Sequence, residues 1–462
     1  MLAAYTYAIF CANLRIAWEF ARFIGAAANT YKSSGVKLSL RIAAVCVVAA
    51  GIVAAVVLLR WHAGPSSAAT AGTWPMYQYR PDHNAVFPGS FTAHWQYESG
   101  GEINGGLAVV GNTLYAANFK KQTFALDIQS GKPRWVSHAA GNIIMTTPIV
   151  TGDLVIVGSG ANSVTVDTHD QYLWSVPQGD DVIAYHTKNG SPAWTMHTLG
   201  EDMPSVGLSG STLVLANGDM HAYGIHAATG KVTWKRAIPG VDTMGSTAIV
   251  DTTAYVIASM GVPYQYRANT HVLALDVQDG RVLWSAPYGN SDCSPTVAQG
   301  LVFVEASINN RHDPFPIGGH NEVYGIDAHT GKLRWKYTSP HEGFYTSVGS
   351  SERAVAGTYA NGVLYQSLPV SSEFAAFDAA SGKLLWDIDT EGTVKMSPIV
   401  SDGLVYFGDS SGLLYVVDAK TGHVKNTHPF RRPFSTASPV LYGKTMFIAN
   451  VDTVYAIPKN QL

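Results

Sequence analysis

FALDIQSGKPRW at residues 124–135 returns, without a gap, six more times along the chain. The copies are IAYHTKNGSPAW (183–194), YGIHAATGKVTW (223–234), LALDVQDGRVLW (273–284), YGIDAHTGKLRW (324–335), AAFDAASGKLLW (375–386) and YVVDAKTGHVKN (415–426). In each, an Asp or His stands four residues before a Gly, and a Trp stands four residues after it, replaced by Asn426 in the last copy. That spacing predicts a hairpin. The Asp side chain accepts turn N–H groups, and the Gly takes positive φ at a bulge. The Trp then falls on the outgoing strand, with area enough to fill the gap between neighbouring sheets.

A second signature opens the units: TTPIVTGDLVIV (146–157), CSPTVAQGLVFV (293–304), MSPIVSDGLVYF (396–407) and ASPVLYGKTMFI (437–448). Each reads as two strands around a Gly turn, with Pro at the start of the first, where no ladder donor is needed. Four strands per unit, at a period of 40 to 59 residues, predict an all-β propeller. Trp95 lies forty residues before Trp135 and supplies an outer strand, while the C-terminal VYAIPK (454–459) lacks one. Joining them gives eight blades, with Phe91–Tyr97 beside Val454–Pro458 and no exposed sheet edge.

The blades are unequal. The shortest spacing between anchors is 40 residues, and the second blade carries about 19 more. The three blades after Trp234, Trp284 and Trp335 carry about 10 or 11 extra residues each. The excess falls between second and third strands, or, after Trp335, before the first strand. Both kinds of loop leave a propeller blade on the same face. One face, formed by residues 160–181, 260–270, 308–321 and 339–353, is therefore expected to carry activity or binding.

Residues just before the inner strands are expected to line the funnel: Asn104, Met145, Met203, Met244, Asp292, Cys293, Lys395, Met396 and Thr436. The Met and Cys side chains suit a soft metal or flexible packing, of which packing is favoured. Arg267, Arg311, Arg353, Lys395, Arg431 and Arg432, with His312, His320 and His341, fall on the inserted face. They read as a field focused on an anion, set against ordinary pairing with Glu342, Glu352, Asp292 and Asp313.

The chain has 462 residues, 14% of them charged, and a formal charge of −3. It is not basic enough for a nucleic-acid partner. Residues 1–41 read as a cytoplasmic segment and Ile42–Leu59 as an uncharged membrane-spanning or signal helix, with 60–73 as linker and 74–462 as propeller. Arg15, Arg22, Lys32, Lys37 and Arg41 precede the helix and put the propeller outside, anchored in the inner membrane unless cleaved near Ala71. Six basic residues and one acidic residue fall in 1–60, leaving 24 against 32 and a net of −8. Cys293 alone remains in that part, so no internal disulfide forms. Low charge density outside the cell points weakly to an acidic setting, where carboxylates would protonate.

The alternation of A-x-D-x-x-x-G-x-x-x-W with S-P-x-V-x-x-G resembles the pyrroloquinoline quinone (PQQ) repeat superfamily over about residues 74–460. The resemblance implies an eight-bladed propeller with tryptophan docking, and three functional classes. Quinoprotein alcohol dehydrogenases are typically longer and often carry adjacent cysteines, which this chain lacks. The outer-membrane assembly lipoprotein is similar but shorter, with uniform blades and a lipobox. Tetrathionate hydrolase of acidophilic sulfur oxidisers looks like an exported propeller without PQQ, and is the class expected here. That class implies a small anionic substrate and no bound PQQ, calcium or other metal. A homodimer is compatible with the sequence. Arg311, His312, Lys395, Arg267, Arg353 and His320 are the expected substrate-binding residues. Asp313 or Asp292 is the expected catalytic base.

Overall fold

The computed structural model describes residues 74, 76–138, 144, 146–160, 165–166, 172–173, 181–200, 205–239, 245–259, 270–288, 293–309, 319–343 and 356–462. It divides into two units, 1–66 and 67–462, and all described residues lie in the second. The expected N-terminal helix lies outside the described residues.

Eight antiparallel blades follow in chain order. Blades 1 to 7 occupy 108–138, 149–197, 207–237, 248–286, 296–338, 358–389 and 399–429. In each, sequential strands are neighbours, from a three-residue inner strand to an outer strand bearing the anchor residue. Blade 8 joins both ends of the described chain: Val440–Tyr442, Thr445–Asn450 and Thr453–Pro458 are completed by Trp95–Glu98. Trp95 faces Ala456 and Glu98 faces Thr453, so the closure expected from the anchors is present. Phe91 sits short of that ladder, its carbonyl taking the Lys444 N–H at the first turn of the blade.

The repeat motif explains how blades lock together. Each anchor Trp donates its indole N–H, at 2.8–3.1 Å, to a carbonyl in the hairpin turn of the following blade. The motif Gly in that turn has φ between +68° and +73°, and a Cβ there would meet the Trp ring at 2.4–2.8 Å. Glycine is therefore required twice, by backbone hand and by the docked ring. Asn426 is the informative exception. The blade after it has no such turn, because Pro458 and Trp95 are different ends of the chain, so blade 7 has nothing to dock on.

A second ring of contacts runs nearer the axis. The residues two places before the inner strands are Gly106, Thr147, Ser205, Ser246, Ser294, Ala356, Ser397 and Ser438. The N–H groups of Gly106, Thr147, Ser205, Ser246 and Ser397 each donate to the next blade's hydroxyl, at 2.7–3.2 Å. At Ala356, which has no hydroxyl, Ser397 reaches back to the Ala356 carbonyl instead. The Ser-Pro signature thus sets both strand start and blade register.

The tunnel is not empty. Residues 74–87, expected as ordinary propeller chain, lie inside it. Trp74 exchanges backbone bonds with Val150 of blade 2. Pro81, Asp82 and Ala85 carbonyls accept the N–H groups of Val297, Tyr359 and Leu441 in blades 5, 6 and 8. The Asn84 amide brackets Val400 of blade 7. Val86–Phe87 then pair parallel with Leu441–Tyr442. The segment thereby satisfies inner-edge donors that would otherwise face the axis unpaired. It leaves beside Gly443, in the turn between first and second strands, on the face opposite the insertions.

Candidate functional site

Antiparallel order fixes where the insertions emerge. Their stems are the paired ends Ser159 with Asp181, Ser259 with Thr270, and Asn309 with Gly319. All three are second-to-third connections. The fourth insertion leaves blade 5's outer strand, where Gly343 pairs with Gly319. The four stems share the face opposite the exit of residues 74–87. The insertion at 160–180 contains a two-stranded ribbon, Thr165–Val166 with Tyr172–Leu173.

The funnel therefore has a floor and a mouth. At the floor, the Tyr77 hydroxyl bonds Ser397 at 3.0 Å and also Ser438, and burial pushes its pKa up to about 12. His83 is fully enclosed, its Nδ1 3.2 Å from Thr296 Oγ1, and burial pushes its pKa down to about 3. Gln78 is buried, yet its amide N and O find no protein partner, and neither do Thr247 Oγ1 and Asn104 Oδ1. Such groups are offered to water or to a ligand. Gln78, Tyr79 and His83 take φ of +51°, +67° and +55°, a left-handed backbone held by the surrounding inner strands.

At the mouth stand Asn104, Lys395 and Thr436, each four places before an inner strand; Thr436 Oγ1 donates to the Asn104 carbonyl at 2.6 Å. Lys395 is half-buried there. Met396 and Cys293, one place deeper, are fully buried. Met396 Sδ accepts the Gly408 N–H at 3.2 Å. Burial, helped by Glu305, pushes the Cys293 thiol up and keeps it protonated. Both side chains are enclosed in the core. Met145, Met203, Met244, Asp292, Arg267, Arg311, His312, Asp313 and Arg353 lie outside the described residues.

His320 belongs to a different network from the mouth. Its Nε2 is 3.7 Å from Glu322, which also takes Lys336 at 2.7 Å, Thr338 at 3.2 Å and the Tyr324 hydroxyl. Those partners hold the Glu322 carboxyl below its usual range against the opposing effect of burial. The pattern recurs where the third strand begins: Asp181 meets His197 at 2.5 Å, and Glu373 meets His341. Asp219, one turn earlier in blade 3, meets Lys235 at 3.0 Å. Arg432 is likewise paired, at 2.8 Å from Asp452. Ordinary ion pairing thus accounts for part of the cation-rich face. The tunnel segment, with Tyr77 and Gln78, escaped sequence reasoning because it has no period and no motif.

The model of the family described as outer membrane protein assembly factor BamB matches residues 92–337, 256–360 and 319–457. The chain belongs to this family of PQQ-like repeat propellers. A tetrathionate hydrolase of Acidithiobacillus ferrooxidans is 28% identical over 370 residues, 76% of this chain and 72% of that protein. The assembly factor BamB of Shewanella oneidensis is 22% identical, covering 69% of this chain and 72% of its own length. Among solved structures, a europium-containing methanol dehydrogenase superposes with a TM-score of 0.61 at 13% identity, over 84% of this chain and 91% of the other. That likeness supports the eight-bladed fold alone. The family spans enzymes and non-enzymes, so function rests on the site.

Proposed function

We propose that the protein is an exported hydrolase of sulfur oxyanions, with tetrathionate as substrate, working in acid and without PQQ. The observation that carries this reading is the asymmetry of the tunnel. Residues 74–87 bond its inner strands and leave on one face, while half-buried Lys395 precedes an inner strand on the face of the insertion stems. A cation placed there suits a small anion, and the relative from Acidithiobacillus ferrooxidans bears the name of that activity. A periplasmic location, anchored by Ile42–Leu59 or released near Ala71, completes the reading.

Tetrathionate is a dianion, so cations must hold both sulfonate ends. Arg267, Arg311, Arg353, His312 and Lys395 are assigned that role; His320, tied to Glu322, is the least suited of the set. Asp313 or Asp292 takes a proton from water as its oxygen bonds to an inner sulfur. The central S–S bond breaks, thiosulfate leaves with the electron pair, and the other fragment carries the new S–OH. An aspartate acts as base in acid only when neighbouring cations hold its pKa low. Arg311 and His312 immediately precede Asp313 in sequence, and Lys395 and Asp292 stand at the same place in the repeat, three residues before the Pro of the Ser-Pro signature.

The test is thiosulfate release between about pH 3 and 7 by wild type, Asp313→Asn and Asp292→Asn. The base variant should lose about 10²- to 10⁴-fold in rate, the other little. Inactivity of wild type on polythionates with tight PQQ binding would revive a dehydrogenase. A second reading, a non-catalytic assembly scaffold, is favoured by apolar residues exposed on outer strands: Val232, Val282, Leu283, Leu333 and Leu385. Capture of outer-membrane assembly proteins by a protein inactive on both counts would establish it.

A further inference from the structure

Away from the funnel, blade 6 gathers one mixed group of donors. His341, Glu373 and Asp387 each offer a ligand atom, and the three atoms lie within 4.8 Å of one another. His341 and Asp387 are exposed, whereas Glu373 is 3% exposed and its Oε1 touches His341 Nδ1. What distinguishes the group from a surface ion pair is the shell behind it. Ser371 Oγ donates to Glu373 Oε2 at 2.5 Å, and Ser339 Oγ approaches the same oxygen at 3.5 Å. Asn321 Oδ1, from blade 5, accepts the N–H groups of Val370 and Ser371 at 3.0 and 3.3 Å and so fixes that turn. Ser339 Oγ also accepts the His341 N–H at 3.1 Å. One carboxylate oxygen is thus engaged from behind, and the other is presented towards an imidazole nitrogen and a second carboxylate. Oriented ligands backed by hydroxyls are what a metal centre requires.

We infer that His341, Glu373 and Asp387 form a three-ligand site for a divalent transition ion of the zinc type, with water completing the shell. One nitrogen and two carboxylates match the borderline preference of zinc, and three protein ligands leave a position open. The site has a consequence for the inserted face. Gly343, two residues after His341, exchanges backbone bonds with Gly319 at 2.9 and 3.0 Å. Gly319 ends the insertion of blade 5 and Gly343 begins that of blade 6, so an ion at His341 ties both stems to blade 6.

The full chain, freed of metal with a chelator, is titrated with zinc chloride at neutral pH by calorimetry. Wild type should bind one ion saturably. His341→Gln and Asp387→Asn should each weaken it by more than about tenfold, and Ser371→Ala by about tenfold. His197→Gln removes the corresponding imidazole from the Asp181 pair, where no third donor stands among the described residues, and should leave affinity unchanged. Asp387 is exposed, so its variant should fold whatever His341 contributes, with thermal unfolding in chelator as the control. The inference is overturned if wild type shows no saturable binding. It is equally overturned if folded Asp387→Asn binds as tightly as wild type, or if His197→Gln loses as much as His341→Gln.

Discussion

The two ends of the tunnel are built on different principles. The closed end is one continuous segment, residues 74–87, whose backbone bonds to inner strands of four blades and whose Asn84 amide reaches a fifth. The open end is assembled from residues far apart in sequence, Asn104, Lys395 and Thr436, beneath stems that carry the extra chain. A continuous, satisfied segment serves stability; half-buried polar groups brought together from distant blades serve the proposed chemistry. Changes at the closed end should therefore alter folding and leave the chemistry alone, and changes at the mouth the reverse.

The severest way to break that comparison is to remove the closed end. Deleting residues 61–98 takes away the tunnel segment, the outer strand of blade 8 and Trp95, which docks on Ile128 of blade 1. The ring then has an open edge on two blades, and soluble, folded protein is not expected. A monodisperse truncated propeller, seen by chromatography and circular dichroism, would contradict the closure argument.

Next in size is the docking of a single anchor. Trp234 is buried and donates to Val277 at 2.9 Å, so Trp234→Ala should cost about 3–5 kcal/mol in denaturant unfolding. Asn426→Trp is the counterpart and should gain nothing, because blade 8 has no turn to receive it. A large stabilisation by Asn426→Trp would show that the missing anchor has another cause.

The third test uses pH at the closed end. His83 is held neutral with its pKa pushed down to about 3, against 6.5 when exposed. The unfolded chain takes up the proton below about pH 6.5 and the folded chain does not. Stability from this group is present above pH 6.5 and is lost as pH falls towards 3, by a total on the order of 5 kcal/mol. His83→Gln should flatten the fall in melting temperature over that window without changing turnover. An unchanged pH profile would mean that the imidazole is solvated when folded.

How much of this was legible in the sequence differs between the same two regions. The blades repeat, so Asp327, Gly331 and Trp335 declare a turn, a bulge and an anchor together, and even Trp95 and VYAIPK reveal the closure. Residues 74–87 occur once, and their contacts run to inner strands 76 to 356 residues away, from Trp74 with Val150 to Ala85 with Leu441. No local pattern encodes that. At the mouth, Lys395 and Thr436 could be placed because they precede a repeated strand by a fixed count. His320 was placed on the right face, but its partner Glu322 lies two residues on along the same strand, a pairing that the charge pattern alone does not rank above an anion.

The smallest expected effect lies between the two ends, in the ring of hydroxyls. Ser294 Oγ accepts the Ser246 N–H at 2.8 Å, and both residues are buried. Ser294→Ala removes the acceptor and leaves a backbone donor without a partner, which costs about 1–3 kcal/mol. Ala356 shows that one gap in the ring is tolerated; there the Ser397 hydroxyl donates to the Ala356 carbonyl at 2.9 Å and holds the two blades together by a different bond. In blade 5 the Ser294 carbonyl takes the buried Cys293 thiol at 3.4 Å, which does nothing for the Ser246 N–H. Ser294→Ala should therefore lower the unfolding midpoint at unchanged m-value, while Ser294→Thr, which keeps the oxygen, should lose less. If alanine and threonine cost the same, packing at this layer sets blade register, and the hydroxyl ring only accompanies it.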